Sequence, residues 1–210
     1  MIRVIVFDFD GVIIDSESIK QDGYRLMFSD FNEPVPEDLV QHAREIHRDG
    51  DVGRMIIIEE ILNLLGKKDN LKLYVERYAH SVGEVLKNIP INPEAATILN
   101  VLHGKYPLYI NSLTPNPELN TIVNRLAIRD KFIQVLGAFQ TKVENLKYIG
   151  SLEGVAPDEI LFIGDSAGDE TAALTYGCKF LMLDYFSKKG DITQRGSLVI
   201  QSLVSIPTYC

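Results

Sequence analysis

Apolar and polar residues follow two different rhythms along this chain. At the start of the sequence, and again from about residue 90 onward, short apolar runs such as Val4–Phe7 and Ile160–Gly164 alternate with stretches whose apolar residues lie three and four positions apart. Such runs are typical of strands buried on both faces, and such stretches are typical of the helices that cover them. Repeated strand–helix units predict an α/β fold with a doubly wound, Rossmann-like parallel sheet.

The same pattern places the elements of this sheet. Strands are predicted at residues 4–7, 107–111, 132–138, 160–164, 179–183 and 198–200. Helices are predicted around residues 95–102, 119–126, 142–152 and 167–176. Asn116 is the expected cap of the second of these helices, since a proline in the first turn follows it.

Residues 16–89 differ, because their apolar residues recur at helical spacing and indicate no strand. One stripe contains Met55, Ile58, Ile61, Leu62 and Leu65, and a second contains Leu71, Tyr74, Tyr78, Val82 and Leu86. A glycine directly after the first stripe is a fitting helix end. We therefore predict two domains, an α/β core formed by residues 1–15 and 90–210 and an inserted helical cap formed by residues 16–89.

Composition narrows the classes of function. The chain has 210 residues and a net charge of −8, which argues against a nucleic-acid partner, because such proteins carry a basic surface. No basic-then-apolar leader precedes the first strand and no apolar run reaches the length of a membrane span, so we expect a cytoplasmic protein without membrane contact. Cys178 and Cys210 lack metal or redox spacing and are expected to be reduced thiols. Nothing here indicates an obligate protein partner.

Polar residues of particular kinds follow the predicted strands. Asp8 and Asp10 follow the first strand, Ser112 the second, Lys142 the third and Asp165 the fourth. Ligands of open α/β sheets bind outside the carboxyl ends of the strands, so these side chains are expected to meet. Carboxylates this close repel each other and need a cation or a shared proton. The set suits phosphoryl transfer assisted by Mg²⁺, which offsets the repulsion between a phosphate and a carboxylate nucleophile.

These residues stand in four motifs that resemble those of the haloacid dehalogenase (HAD) superfamily, in its branch of phosphatases and phosphomutases with a small helical cap. Asp-Phe-Asp-Gly-Val at 8–12 matches the first motif, Ser112 the second, Lys142 the third and Gly-Asp-Ser-Ala-Gly-Asp at 164–169 the fourth. The motifs stand in the family order, and the family inserts its cap where residues 16–89 lie. The proline that usually follows the lysine is absent here.

The resemblance implies the chemical roles of three aspartates. Asp8 is implied to be the nucleophile that forms an aspartyl-phosphate, and Asp10 the general acid and then the general base. Asp8, Asp165 and the backbone carbonyl of Asp10 are implied to hold Mg²⁺. The name-giving dehalogenases lack an aspartate at the position of Asp10, so the resemblance favours phosphate chemistry over halide chemistry.

The remaining site residues follow from the same resemblance. Ser112, the backbone N–H of Leu113 and Lys142 are implied to bind the phosphate, and Asp169 to hold a metal-bound water or Lys142. The implied activity is hydrolysis of a small phosphorylated metabolite. Two of these residues also have an alternative without a role in catalysis. Asp165 could only cap the following helix, and Lys142 could be a solvated surface lysine.

The predicted cap supplies candidates for substrate specificity. In capped relatives a cap loop contacts the leaving group of the substrate, and His47, Arg48 and Arg54 flank a glycine-containing break in this region. Arg54 is suited to clamping a carboxylate or a second phosphate. Its alternative is a surface arginine before a helix.

Three other functions are compatible with parts of this pattern. A phosphomutase similar to β-phosphoglucomutase shares every motif and differs in whether water or substrate accepts the phosphoryl group. A non-catalytic binding module on the same fold would leave costly buried carboxylates unused. A receiver-type phosphoacceptor domain also uses acids, a hydroxyl and a lysine, but such domains are shorter and have no helical insertion.

Overall fold

The structure is a computed structural model that describes residues 1–28, 37–46, 54–67, 70–86, 88–138, 140–184 and 196–210. Within these residues, a parallel sheet is formed by six strands: β1 (Val4–Phe7), β2 (Leu108–Asn111), β3 (Gln134–Leu136), β4 (Ile160–Gly164), β5 (Lys179–Leu183) and β6 (Leu198–Ile200). The strand order is β3-β2-β1-β4-β5-β6. The doubly wound α/β fold predicted from the sequence is confirmed.

The α-helices that the structure describes fall into two groups along the chain. The helices outside the predicted insertion are α5 (Pro93–Leu102), α6 (Asn116–Arg125), α7 (Lys142–Glu153) and α8 (Ala167–Tyr176). The helices within it are α1 (Glu17–Leu26), α2 (Glu37–Ile46), α3 (Arg54–Leu64) and α4 (Leu71–Leu86). Among the described residues, no helix has the length and apolarity that crossing a membrane requires.

The central strands owe their positions to complete burial. Every side chain of β1 and β4 is buried, which explains why their sequences are continuous apolar runs rather than alternating ones. In the register of β1, Phe7 lies between Ile110 of β2 and Ile163 of β4. This register brings the carboxyl ends of three strands level with one another.

The start of α6 differs from the prediction. Pro115 caps the helix, and Asn116 is its first residue instead of its cap. The side-chain oxygen of Asn116 accepts a hydrogen bond at 2.8 Å from the backbone N–H of Gly137, just after β3. The asparagine therefore joins two loops at the carboxyl edge of the sheet, which local capping patterns do not reveal.

The chain divides into two compact units. One consists of residues 1–15 and 90–210 and contains the sheet, and we call it the α/β unit; the other, the helical unit, consists of residues 16–89. Inside the helical unit, aromatic rings pair between α4 and the end of α1, Tyr24 with Tyr78 at 4.6 Å and Phe28 with Tyr74 at 4.5 Å between ring centroids. Its interior is therefore built from apolar and aromatic side chains.

Candidate active site

The candidate site is built where backbone pairing continues just past the strand ends. The N–H of Asp8 donates to the carbonyl of Ile163 at 2.8 Å, which extends the pairing of β1 with β4. The N–H of Ser112 donates to the carbonyl of Leu136 at 2.9 Å, which extends the pairing of β2 with β3. Asp8 and Ser112 are therefore positioned by the backbone pairing of the sheet itself.

A buried lysine joins two of the aspartates. The ammonium of Lys142, the first residue of α7, lies 3.0 Å from Asp8 Oδ1 and donates to Asp169 Oδ1 at 2.5 Å. All three residues are at most 4% exposed. Lys142 is thus a buried partner of two carboxylates, and the alternative of a solvated surface lysine does not describe it.

Both carboxylate oxygens of Asp169 are occupied. While Oδ1 accepts from Lys142, Oδ2 accepts from the backbone N–H of Ser166 at 3.1 Å and from its hydroxyl at 2.5 Å. Ser166 is the N-cap of α8 and forms a reciprocal capping box with Asp169. The cap of this helix is therefore Ser166, and the alternative in which Asp165 serves as the cap is wrong.

Asp8 sits in an electrostatic environment that opposes its charge. Burial, followed by the negative charge of Asp169, raises the pKa of Asp8 to about 7, against the lowering effect of Lys142. The ammonium of Lys142 is the positive charge that the structure shows at the buried Asp8 Oδ1, at 3.0 Å. Further positive charge beside Asp8 would therefore favour its ionised form.

Carboxylates converge at this point in a way that fits a divalent cation. Asp8, Asp165 and Asp169 each offer an oxygen within 4.8 Å of the others. Gly11 allows this, because its φ is +76° and an added Cβ would lie 1.8 Å from Asp165 Oδ2. Clustered carboxylate oxygens with too little compensating charge are the hard donor set that Mg²⁺ prefers. Asp169 has partners on both of its oxygens, so its place in this cluster is also explained without a cation.

Two hydroxyl groups surround the carboxylate of Asp10. The hydroxyl of Thr114 donates to Asp10 Oδ2 at 2.7 Å, and that of Ser112 approaches the same oxygen at 3.4 Å. Both hydroxyl residues are buried, while Asp10 is partly exposed. Leu113 lies between them in the loop after β2. The contact of Thr114 with Asp10 was not predicted, because the sequence does not show which way the side chains of a loop turn.

A second set of polar residues was also missed. Asn111, at the end of β2, is fully buried and donates to the backbone carbonyl of Lys142 at 3.0 Å. The side-chain amide of Asn145 in turn donates to Asn111 Oδ1 at 2.9 Å. This buried amide pair fixes the first turn of α7, which carries the lysine. The available signal was an asparagine ending an otherwise apolar strand, since buried amides are retained only where they find partners.

The predicted specificity residues are not all within the described part of the chain. His47 and Arg48 lie outside the described residues. Arg54 begins α3, and its guanidinium lies over the ring of Tyr78, 5.5 Å from the centroid, inside the helical unit. The structure therefore gives Arg54 a packing partner in its own unit, and its role toward a substrate stays a prediction.

Comparison with known proteins identifies the family. A model of the haloacid dehalogenase-like hydrolases matches residues 2–177, which is most of the chain. The protein therefore belongs to the haloacid dehalogenase-like hydrolases and is an enzyme, as the four motifs predicted.

Individual relatives resemble the chain over most of its length. The phosphoglycolate phosphatase of Pasteurella multocida is 28% identical over 194 residues, which cover 87% of this chain and 86% of the relative. The phosphorylated carbohydrates phosphatase of Thermotoga maritima is 28% identical over 185 residues, which cover 83% of this chain and 82% of the relative. A crystal structure described as a predicted phosphoglycolate phosphatase from Haemophilus somnus matches with a TM-score of 0.82 at 23% identity, covering 99% of this chain and 97% of that one. At 23% identity, this structural match shows a shared fold alone.

Proposed function

We propose that this enzyme is a Mg²⁺-dependent phosphatase that hydrolyses a small phosphomonoester through an aspartyl-phosphate on Asp8. The observation that carries the proposal is the environment of Asp8, a carboxylate buried at a strand end beside Lys142 and two further aspartates. A nucleophile that attacks a dianionic phosphate needs positive charge around it. The names of the relatives from Pasteurella multocida and Thermotoga maritima support phosphomonoesters of small acids or carbohydrates as the substrate class.

The first half of the reaction transfers the phosphoryl group to the enzyme. A carboxylate oxygen of Asp8 forms a bond to phosphorus while the bond from phosphorus to the leaving oxygen breaks. Asp10, in its protonated form, gives its proton to that leaving oxygen, so that an alcohol departs instead of an alkoxide. Ser112, the N–H of Leu113 and Lys142 bind the other phosphate oxygens and keep phosphorus in line with Asp8.

The second half returns the enzyme to its starting state. Asp10, now ionised, takes a proton from a water molecule, whose oxygen bonds to phosphorus as the bond to Asp8 breaks. Inorganic phosphate leaves, and Asp10 is again protonated for the next substrate. Asp8, Asp165 and the backbone carbonyl of Asp10 would hold Mg²⁺, which supplies positive charge against the repulsion between phosphate and carboxylate. Asp169 keeps the ammonium of Lys142 in place.

We assign the helical unit the role of a cap that selects the substrate. Arg54, Arg48 and His47 are its candidate contacts, and an arginine there suits a substrate with a carboxylate or a second phosphate. A cap also excludes water from the phosphoryl-transfer step. This assignment rests on the family resemblance and on the division of the chain into two units.

The proposal is tested by phosphate release from a panel of phosphorylated acids and sugars. The wild type is measured with Mg²⁺ and with EDTA, beside Asp8→Asn and the control Asp158→Asn, whose side chain is exposed. We expect phosphate release by the wild type and the control that depends on Mg²⁺, and none by Asp8→Asn. Undiminished release in EDTA, or by a folded Asp8→Asn protein, would contradict the mechanism. Conversion of a sugar phosphate to its isomer without phosphate release would assign a phosphomutase instead.

A further inference from the structure

The hydroxyl of Thr114 donates to Asp10 at 2.7 Å from Thr114 Oγ1 to Asp10 Oδ2, a shorter distance than that of the Ser112 hydroxyl to the same oxygen. We infer that Thr114 is a positioning residue that holds the carboxyl group of Asp10 in the orientation for proton transfer throughout the reaction. The inference rests on the proposed function, since it assigns a task to Asp10 in phosphoryl transfer. Thr114 acts through Asp10 and has no bond to phosphorus or to the leaving oxygen.

The backbone of Thr114 is held from both sides. Its N–H donates to the hydroxyl oxygen of Ser112 at 3.0 Å, and its carbonyl accepts from the N–H of Ala138 at 3.0 Å. The residue is only 6% exposed. A hydroxyl whose backbone is fixed and whose surroundings exclude water loses little further freedom when it donates a hydrogen bond. Thr114 is thus a donor that is already aimed before substrate arrives.

Close packing of two loops explains this fixation. Gly137 follows β3 and passes so near the loop after β2 that an added Cβ would lie 2.4 Å from the carbonyl oxygen of Thr114. The side chain of Asn116 accepts the N–H of Gly137 at 2.8 Å and closes the same contact. The position of Thr114 is therefore fixed by the segment that follows β3, which contributes no side chain to the proposed chemistry.

Ser112 cannot take the place of Thr114 during catalysis. A hydroxyl has a single proton to donate, and the proposed function requires Ser112 to donate its proton to the phosphate. Its distance to Asp10 Oδ2 is already long, at 3.4 Å. When substrate binds, Ser112 therefore turns to the phosphate, and Thr114 remains as the hydroxyl that holds Asp10.

The contact with one oxygen serves both protonation states of Asp10. Oδ2 can accept a hydrogen bond from Thr114 whether the proton of the carboxyl group is on Oδ1 or has been given away. Holding Oδ2 fixes the plane of the carboxyl group, so that Oδ1 points in one direction when it delivers a proton and when it takes one. Loss of the hydroxyl should weaken proton transfer and leave attack by Asp8 unaffected.

The test compares two aryl phosphates of similar shape but different leaving group. Phenyl phosphate needs a proton on its leaving oxygen, whereas 4-nitrophenyl phosphate releases a stable anion. For Thr114→Val we expect kcat/KM on phenyl phosphate to fall about 10- to 100-fold, a part of what a general acid contributes, and to change less than about threefold on 4-nitrophenyl phosphate. Thr114→Ser restores the hydroxyl and should recover most of the loss on phenyl phosphate.

The control is Thr121→Val on α6, whose exposed hydroxyl donates only to a backbone carbonyl of its own helix at 2.8 Å. It should match the wild type on both substrates. Thr114→Ala, measured beside a melting curve, covers the case in which the β-branched valine does not fit. If a folded Thr114→Val or Thr114→Ala variant loses both activities equally, or loses neither, the inference is overturned. If the wild type and the control hydrolyse neither ester nor any phosphomonoester of the panel, the proposed function fails first.

Discussion

The two units of this enzyme bury different kinds of side chain. All the buried polar and charged residues that the structure describes, except Ser16, belong to the α/β unit, and they include Asp8, Lys142 and Asp169. Apart from Ser16 and one glycine, the buried residues that the structure describes in the helical unit are apolar or aromatic, as in the Tyr24–Tyr78 pair. Burying a charge is costly unless it is paired. The paired charges of the first unit therefore point to chemistry, while the interior of the second serves its stability.

Among the substitutions that test this difference between the units, the largest loss of activity is expected at Asp8. Asp8→Asn keeps the shape of the side chain but replaces the nucleophilic oxygens with a weakly nucleophilic amide, so turnover should fall below detection on every substrate, including 4-nitrophenyl phosphate. The variant should still fold, because it removes a carboxylate whose ionisation burial opposes. Mass spectrometry of the wild type after a rapid acid quench should place phosphate on Asp8. A phosphate label on any other residue would assign the nucleophile elsewhere.

Asp165→Asn should have the next largest effect, on metal affinity. A ligand that binds only the native state stabilises it in proportion to the logarithm of its concentration over its dissociation constant. Mg²⁺ should therefore raise the melting temperature of the wild type, and Asp165→Asn should need at least ~10-fold more Mg²⁺ for the same rise, since an amide oxygen carries no charge. Asp158→Asn is the matched control. Equal Mg²⁺ dependence in all three proteins would remove Asp165 from the metal site.

The carboxyl edge of the sheet was predictable from the sequence because strands buried on both faces are continuous apolar runs. Val4–Phe7 and Ile160–Gly164 are apolar throughout, so the aspartates that follow them had to lie at one edge. Ser166 could also have been identified as the cap of α8, since a serine three residues before an acid is a capping-box pattern. The contact of Thr114 with Asp10 could not, because it depends on a loop that residues of a distant strand hold in place.

The helical unit shows the opposite limit of sequence reasoning. Its apolar stripes predicted α3 and α4, and Ile58, Ile61 and Leu62 are buried as expected, whereas Met55 at the start of the first stripe is exposed. The stripes say which side of each helix faces inward and nothing about what the outward side binds. Arg54 illustrates this, since a charge at the start of a helix fitted both a substrate clamp and a surface residue, and its position over Tyr78 was a third outcome.

The buried amide pair offers a more moderate test of the α/β unit. Asn111→Ala leaves the carbonyl of Lys142 and the amide of Asn145 without their partner, which should lower the free energy of unfolding by about 1–3 kcal/mol. Because the same contact fixes the backbone of Lys142, KM should rise along with the loss of stability. Urea unfolding and steady-state kinetics measure the two effects. The control is Asn124→Ala on the exposed side of α6, and a variant that matches it in both assays would show that the pair is dispensable.

The smallest effect is expected for a substitution in the helical unit. Arg54→Ala removes a guanidinium over an aromatic ring, worth about 0.5–1 kcal/mol where exposed, so the melting temperature should fall slightly. If Arg54 also contacts substrate, KM should rise for phosphorylated acids and stay the same for 4-nitrophenyl phosphate. Arg25→Ala, which breaks a surface ion pair with Asp22 in the same unit, is the control. A uniform change across substrates would restrict Arg54 to a role in packing.

The position of β1 in the middle of the sheet also determines when the enzyme can become active during its synthesis. Val4 pairs with Ile160 and Ile5 with Leu108, so the strands that pair with β1 are synthesised about 100 or more residues after it. The helical unit is encoded by one continuous stretch and is complete before β2 begins. Local contacts form faster than distant parallel pairings, and domains tend to fold as they are made. We therefore expect a nascent chain that stops before β4 to contain native helices from residues 16–89 and no catalytic site, which arises in a single late step.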